Sequence, residues 1–293
     1  MKKYLEKTLD GFPPEGITSL CLDKELTDLT FTAVEWMEPF QALEEFSCAG
    51  HELENIQEMG RPLNLQKLTL SYNKIEDISA LETLRKLVFL DLSFNKIRQL
   101  NSIEPLRLLE ELHLEFNAIS NLKPLEKIQL LSILGLSGNR NLRSLDGLQS
   151  LHNLKELYLN QVFIPEPEIL TGHPGLERLV ISFPDPWRET LESLENLHSL
   201  SIFGNMNSDH YSLPALPQLR HLKLHRITGL NSIQNWQNLP NLISLEITRC
   251  ELALLDLSEI PKEIESIDIR LSKIEKIEGK EILDLLNKKR AGE

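Results

Sequence analysis

Three sets of side chains in this sequence have the types that chemistry requires. His221 and His225 would face the same way on an extended strand, yet they would lie roughly 13 Å apart, too far to share one metal ion. Asp91, Ser93 and His113 contain the acid, hydroxyl and base of a nucleophilic triad. No nucleophile elbow or oxyanion donor accompanies them, so charge developing on a substrate would go unstabilised. Cys21, Cys48 and Cys250 are odd in number, widely separated and free of any CxxC spacing. They read as small buried or half-buried residues rather than as redox or metal groups. The 13 glycines are scattered, which leaves no glycine loop to cradle a phosphate. The sequence reads as non-catalytic, with no cofactor and no metal.

Charge narrows the partners. Over 293 residues, 44 acidic groups oppose 31 basic ones, for a net charge of -13. Such a balance disfavours nucleic acid, whose phosphates call for a basic surface. The start, MKKYLEKTLD, lacks the apolar stretch of a secretory signal, and no run is long enough to cross a bilayer. The expected place of action is the cytoplasm, with export by a signal-less route left open, and no membrane is expected as a partner.

The elements that position these residues come from an internal repeat. Residues 65–86 read LQKLTLSYNKIEDISALETLRK, 87–108 LVFLDLSFNKIRQLNSIEPLRL, and 109–130 LEELHLEFNAISNLKPLEKIQL, each 22 residues long. Residues 131–153 form a fourth copy, with one residue inserted after Asn139. The frame is LxxLxLxxNxIxxLxxLxxLxx. Weaker copies begin at Ile17, Leu43, Leu154, Leu176, Leu197, Leu219, Leu242 and Ile264, so that twelve result. From Leu43 onward the spacing never leaves 21 to 23 residues, a register that chance apolar matches do not hold.

Each part of the frame has a physical reading. In LxxLxL the last two apolar residues alternate with polar ones, which is the period of a strand with one buried face. Asn73, Asn95, Asn117 and Asn139 end these strands. A buried amide both donates and accepts, so it can satisfy backbone groups freed at the turn and link neighbouring coils. The second half spaces apolar residues by three, as in Ile78, Leu81 and Leu84, which suits a short helical or 3₁₀ turn. No repeat buries its apolar face alone, so stacking closes the core.

The ends need covers. Residues 1–16 read as an N-terminal cap, 17–286 as the repeat domain, and 287–293 as a tail following a capping helix that carries Ile282, Leu283, Leu285 and Leu286. In the second half the Asn position holds Val162, Pro184, Ile227, Cys250 and Ser272, with Asn205 the exception. The prolines at 165, 167, 184 and 186 suggest either drift or protruding loops that shape a binding edge.

The strings LTLSYNKI, LDLSFNKI and LHLEFNAI resemble the short, 22-residue class of leucine-rich repeats. That class is similar to the type-1 protein phosphatase regulatory subunit and to the repeat regions of bacterial internalins. The resemblance implies an α/β leucine-rich-repeat solenoid, a curved horseshoe of about twelve repeats. Its parallel sheet would line the concave face, with short helical or 3₁₀ turns on the convex face. It also implies binding of a protein partner through that sheet. The wall-anchoring tail of a typical internalin is not found here.

Alternation along each strand turns the polar positions into rows across the sheet. One candidate patch comprises Phe89, Asp91, Glu111, His113, Glu115, Ile133 and Tyr158, with Arg178 in the same rows. There an aromatic or apolar group among acidic ones could anchor a partner. A second comprises Arg220, His221, Lys223, His225, Arg226 and Arg270, positive charge that could steer an acidic partner unless Glu246 and Asp268 neutralise it. Tyr72, Phe94, Phe116 and Phe183, each before the Asn position, read as sheet-edge packing rather than as binding groups. The expected function is a monomeric protein-interaction module, typified by a regulatory or targeting subunit of an enzyme such as a phosphatase. The alternatives are an exported microbial factor engaging a host or surface ligand and, last, nucleic-acid recognition through the basic patch.

Overall fold

The computed structural model describes residues 5, 13–25, 30–33, 39–59, 62–171, 173, 175–182, 187–205 and 209–291. The backbone divides into two compact units, Met1–Leu154 and Lys155–Glu293. Most of the N-terminal cap and the stretch 183–186 lie outside the described residues.

In the first unit each repeat contributes one short strand: β1 (Ser19–Cys21), β2 (Glu45–Ser47), β3 (Lys67–Thr69), β4 (Phe89–Asp91), β5 (Glu111–His113) and β6 (Ile133–Gly135). They pair in parallel and in chain order, residue for residue. Leu68, Leu90 and Leu112 therefore sit side by side, and all three are fully buried. Each such leucine contributes about 2 kcal/mol by leaving water.

Beyond the strands a ladder of amides holds the coils together. Asn95 Oδ1 accepts from the Ile75 N–H (3.0 Å), and its Nδ2 donates to the carbonyls of Leu70 (2.9 Å) and Leu92 (3.0 Å). Asn73, Asn117 and Asn139 repeat this pattern, each reaching one coil back. The same position one repeat before Asn73 belongs to His51. Its Nδ1 accepts from the Phe31 N–H (3.3 Å), so Nε2 carries the proton and donates to the Leu22 carbonyl (2.5 Å).

The returning halves of these repeats start with Asx turns. Asn55, Asp77 and Asn121 accept from the backbone N–H two residues on, a geometry that bends the chain out of the extended state. The 3₁₀ turns Gln57–Met59, Ser79–Thr83 and Lys123–Lys127 follow. The Ser79 N–H also holds the Asp77 carboxyl below the usual carboxylate range.

The second unit has a different returning side. Its main sheet contains β7 (Glu156–Leu159), β8 (Arg178–Ser182), β9 (Ser199–Asn205), β11 (His221–Thr228), β13 (Ser244–Thr248) and β15 (Ser266–Arg270). A second parallel sheet is built from β10 (His210–Ser212), β12 (Leu230–Gln234), β14 (Glu251–Asp256) and β16 (Lys273–Glu278). Short helical or 3₁₀ turns were expected there. Such turns occur at Glu168–Leu170, Arg188–Ser193 and Trp236–Asn238. From His210 onward, strands take most of their place. Among the described residues no Asx turn precedes these strands, so the chain stays extended and pairs with the coil before it. The Asp256 carboxylate accepts from the Ser258 N–H and hydroxyl only after β14 has ended.

The amide ladder also changes chemistry. Cys250 Sγ donates to the Leu224 carbonyl (3.3 Å), and Ser272 Oγ to that of Ile247 (3.3 Å). Both reach one coil back, as the asparagines do. Burial pushes the Cys250 thiol up, and the buried Cys48 thiol is pushed up to about 12 for the same reason. Cys21, expected to be at least half-buried, is exposed, because its side chain points to the solvent face of β1. The C-terminal helix runs Glu281–Ala291 and so continues well into the stretch read as a tail. It buries Leu286 and leaves Leu285 exposed.

One backbone feature recurs in both units. The residue just before the ladder position is left-handed in most coils: Tyr72 (φ 56), Phe94 (φ 55) and Phe116 (φ 53) in the first unit, Gln161 (φ 59), Arg226 (φ 54), Arg249 (φ 57) and Leu271 (φ 54) in the second, Arg226 at an irregularity within β11. For a residue other than glycine this conformation costs about 1–2 kcal/mol. Gly50 and Gly138 occupy the same position at positive φ without that cost.

Candidate functional site

In the first unit the strand period places Phe89, Asp91, Glu111, His113 and Ile133 on the solvent face, with Glu115 just past β5. Alternate residues of one strand stand on one side and within side-chain reach. The His113 ring consequently lies between two carboxylates, with Nε2 2.7 Å from Glu111 Oε1 and Nδ1 3.3 Å from Glu115 Oε1. Both ring nitrogens donate, which requires the imidazolium. Glu115 foremost, then Glu111, push its pKa up to about 9 against the opposing effect of burial. Only 24% of the His113 side chain is exposed.

The neighbouring strands shape this clamp. On one side the Phe89 ring tilts against His113, with centroids 5.7 Å apart. On the other, Glu115 folds over Gly135, where a side chain would collide with it. Asp91 takes no part, since its Oδ1 accepts from both the N–H (2.9 Å) and the hydroxyl (2.7 Å) of Ser93. The triad considered from sequence is therefore not assembled: the acid holds the hydroxyl, and the histidine has no free nitrogen to act as a base. A cleft of about 410 Å³ lies beside Phe89, lined among others by Cys21, Glu45, Lys67 and Glu111. Across it Lys67 pairs with Glu45 at 2.8 Å.

At the edge of this sheet Tyr72, Phe94 and Phe116 stack on one another, with centroids 4.1 and 4.4 Å apart and rings within 9° and 15° of parallel. Stacked pairs contribute about 0.5–1.5 kcal/mol each, which offsets the left-handed backbone that presents them. Phe116 lies over Gly138, where a Cβ would come within 2.6 Å of the ring.

Tyr158 and Arg178 belong to the second unit. Glu156 joins them, accepting from the Tyr158 hydroxyl and from Arg178 Nε (3.2 Å). The basic residues fall on β11 and its neighbours. Lys223 pairs with Glu246 at 2.8 Å, and Arg270 with Asp268 at 2.8 Å, so part of the expected positive patch is neutralised. His221 is exposed, and His225 is half-buried against Phe203 with centroids 5.0 Å apart. Burial, then Arg226 and Arg249, hold the His225 pKa below the ordinary histidine value. Arg220, Arg226 and Arg249 have no acidic partner among the described residues. Arg249 and Leu271 were not singled out from sequence. Carrying the row of Tyr72, Phe94 and Phe116 through the later repeats would have reached both.

A family profile described as a leucine-rich repeat region matches residues 37–264. A search of curated proteins returned no match. Three solved structures from Listeria monocytogenes share the fold. An internalin, InlF, aligns with a TM-score of 0.59 at 22% identity, covering 86% of this chain and 87% of that one. An internalin C2 aligns at 0.57 and 23% identity, covering 65% and 82%. The functional domain of InlJ, which includes a cysteine ladder, aligns at 0.54 and 16% identity, covering 89% and 64%. No helix among the described residues is long and apolar enough to cross a membrane.

Proposed function

Because this chain belongs to the leucine-rich repeat region family, we propose that it is a non-catalytic module binding a protein partner on the solvent face of the parallel repeat strands, one of which carries Phe89. Phe89 carries the reading. Its ring stands beside an open cleft, among polar side chains already held by one another, namely Glu111 with His113, Glu45 with Lys67 and Asp91 with Ser93. Docking against such a face leaves few polar groups newly unpaired, and an aromatic anchor supplies apolar contact.

The finer form of this proposal is a regulatory or targeting subunit of an enzyme, acting as a monomer in the cytoplasm. The three free cysteines support that compartment. The test is affinity capture with the wild type and with Phe89→Ala and Tyr158→Ala variants whose melting temperatures are retained. Loss of a captured protein from either variant supports the reading. Identical yields from all three proteins refute it.

A further inference from the structure

The left-handed rim of the second unit presents side chains with no hydrogen-bond, ion-pair or stacking partner among the described residues. Arg226, Arg249 and Leu271 directly follow the cross-strand partners His225, Thr248 and Arg270, so they form one row on three adjacent strands. All three are exposed, and Leu271 is 78% exposed. In the first unit the same strained position is offset by ring stacking, or occupied by glycine. In the second no stacking partner or acidic partner compensates among the described residues. The Arg249 N–H still donates to the Arg270 carbonyl (3.0 Å), but a strained residue whose side chain meets no internal partner points to a use outside the chain.

Charge specifies that use. Lys223 and Arg270 are paired with Glu246 and Asp268 on the sheet face. Of the cations left without an acidic partner, Arg220 precedes β11, whereas Arg226 and Arg249 stand together beyond the other end of the paired stretch, beside His225. Glu246 and Asp268 would repel an anion that spread over the sheet face, so the anion that fits is a short segment confined to the strand ends. Leu271 adds an apolar contact beside the two guanidiniums.

We propose that Arg226, Arg249 and Leu271 form a docking rim for an acidic peptide segment of a protein partner, with an apolar residue beside its carboxylates. This rests on the protein-binding reading and names the chemistry of the partner. Guanidinium forks match carboxylates in paired hydrogen bonds, and the leucine supplies the counterpart of the apolar residue.

The test uses the full chain and a fluorescently labelled peptide of repeated Glu-Glu-Leu triplets, read by anisotropy. The expected result is binding that weakens with added salt and is at least about tenfold weaker in the double variant Arg226→Gly, Arg249→Gly. Since glycine relieves the left-handed backbone, that variant should also melt at a higher temperature, which separates lost binding from lost folding. No binding by the wild type, equal binding by the double variant, equal binding of a Gln-Gln-Leu peptide, or equal binding of a single-stranded oligonucleotide would each overturn the proposal. If these arms fail while Phe89→Ala still loses its captured protein, the sheet-face reading stands and the rim alone is rejected.

Discussion

The Glu115 carboxylate lies over Gly135 so closely that a Cβ on the glycine would come within 1.9 Å of Glu115 Oε1. The small residue on β6 is what allows a β5 side chain to fold down and receive the proton of His113. The clamp on the solvent face thus depends on a neighbour that contributes no functional group of its own.

Gly135→Ala should push Glu115 aside and leave His113 with one carboxylate in place of two. The expected outcome is a His113 pKa that falls from about 9 toward 6.5, followed by NMR titration of the ring. An unchanged pKa would show that the glycine does not control the clamp.

The clamp also sets a pH dependence of stability. His113 has a raised pKa in the folded state, so its contribution is fully present below the unfolded value of 6.5 and is lost as pH rises through about 9. Comparison of denaturant unfolding for the wild type and His113→Gln should show an advantage of about 2–3 kcal/mol near neutrality or below that disappears in alkali. Parallel stability curves across this range would contradict the assignment.

Asn95 makes hydrogen bonds to two coils, so Asn95→Ala leaves buried carbonyls and the Ile75 N–H unpaired. A loss of about 3 kcal/mol is expected. Asn95→Ser, which imitates Ser272, should lose less, because a hydroxyl at this position can still reach one coil back. Urea unfolding of both variants decides the order.

Phe94 gives a reversed ranking. Alanine there loses the stack and keeps the left-handed strain, whereas glycine loses the stack and removes the strain. Phe94→Gly should therefore be more stable than Phe94→Ala by about 1 kcal/mol, opposite to the usual order. Thermal melts measure the difference.

The repeat made much of this structure readable. Leu68, Leu90 and Leu112 recur at a fixed interval and end as one buried row, since a parallel one-to-one register converts chain spacing into adjacency. Glu111, His113 and Glu115 could be placed on one face for the same reason. Their mutual hydrogen bonds could not, because these depend on how side chains lean and on the space above Gly135. The second sheet was hidden because its strands differ from the 3₁₀ segments in turn chemistry, with apolar residues in both spaced by about three. His51 escaped notice because an imidazole can take over an amide's contacts without resembling it in sequence. The pairing of Lys223 with Glu246 crosses from β11 to β13, and the charge count alone gave no sign of which cations it would leave unpaired.

The most direct measurement of the central claim is carboxyl footprinting of the chain alone and bound to its captured partner. Glu45 and Glu111 on the solvent face of β2 and β5 should become protected, while Glu76 and Glu82 on the returning side of the coils stay as reactive as before. Protection of Glu76 and Glu82 with Glu45 and Glu111 unchanged would place the partner on the opposite side and contradict the sheet face as the binding surface.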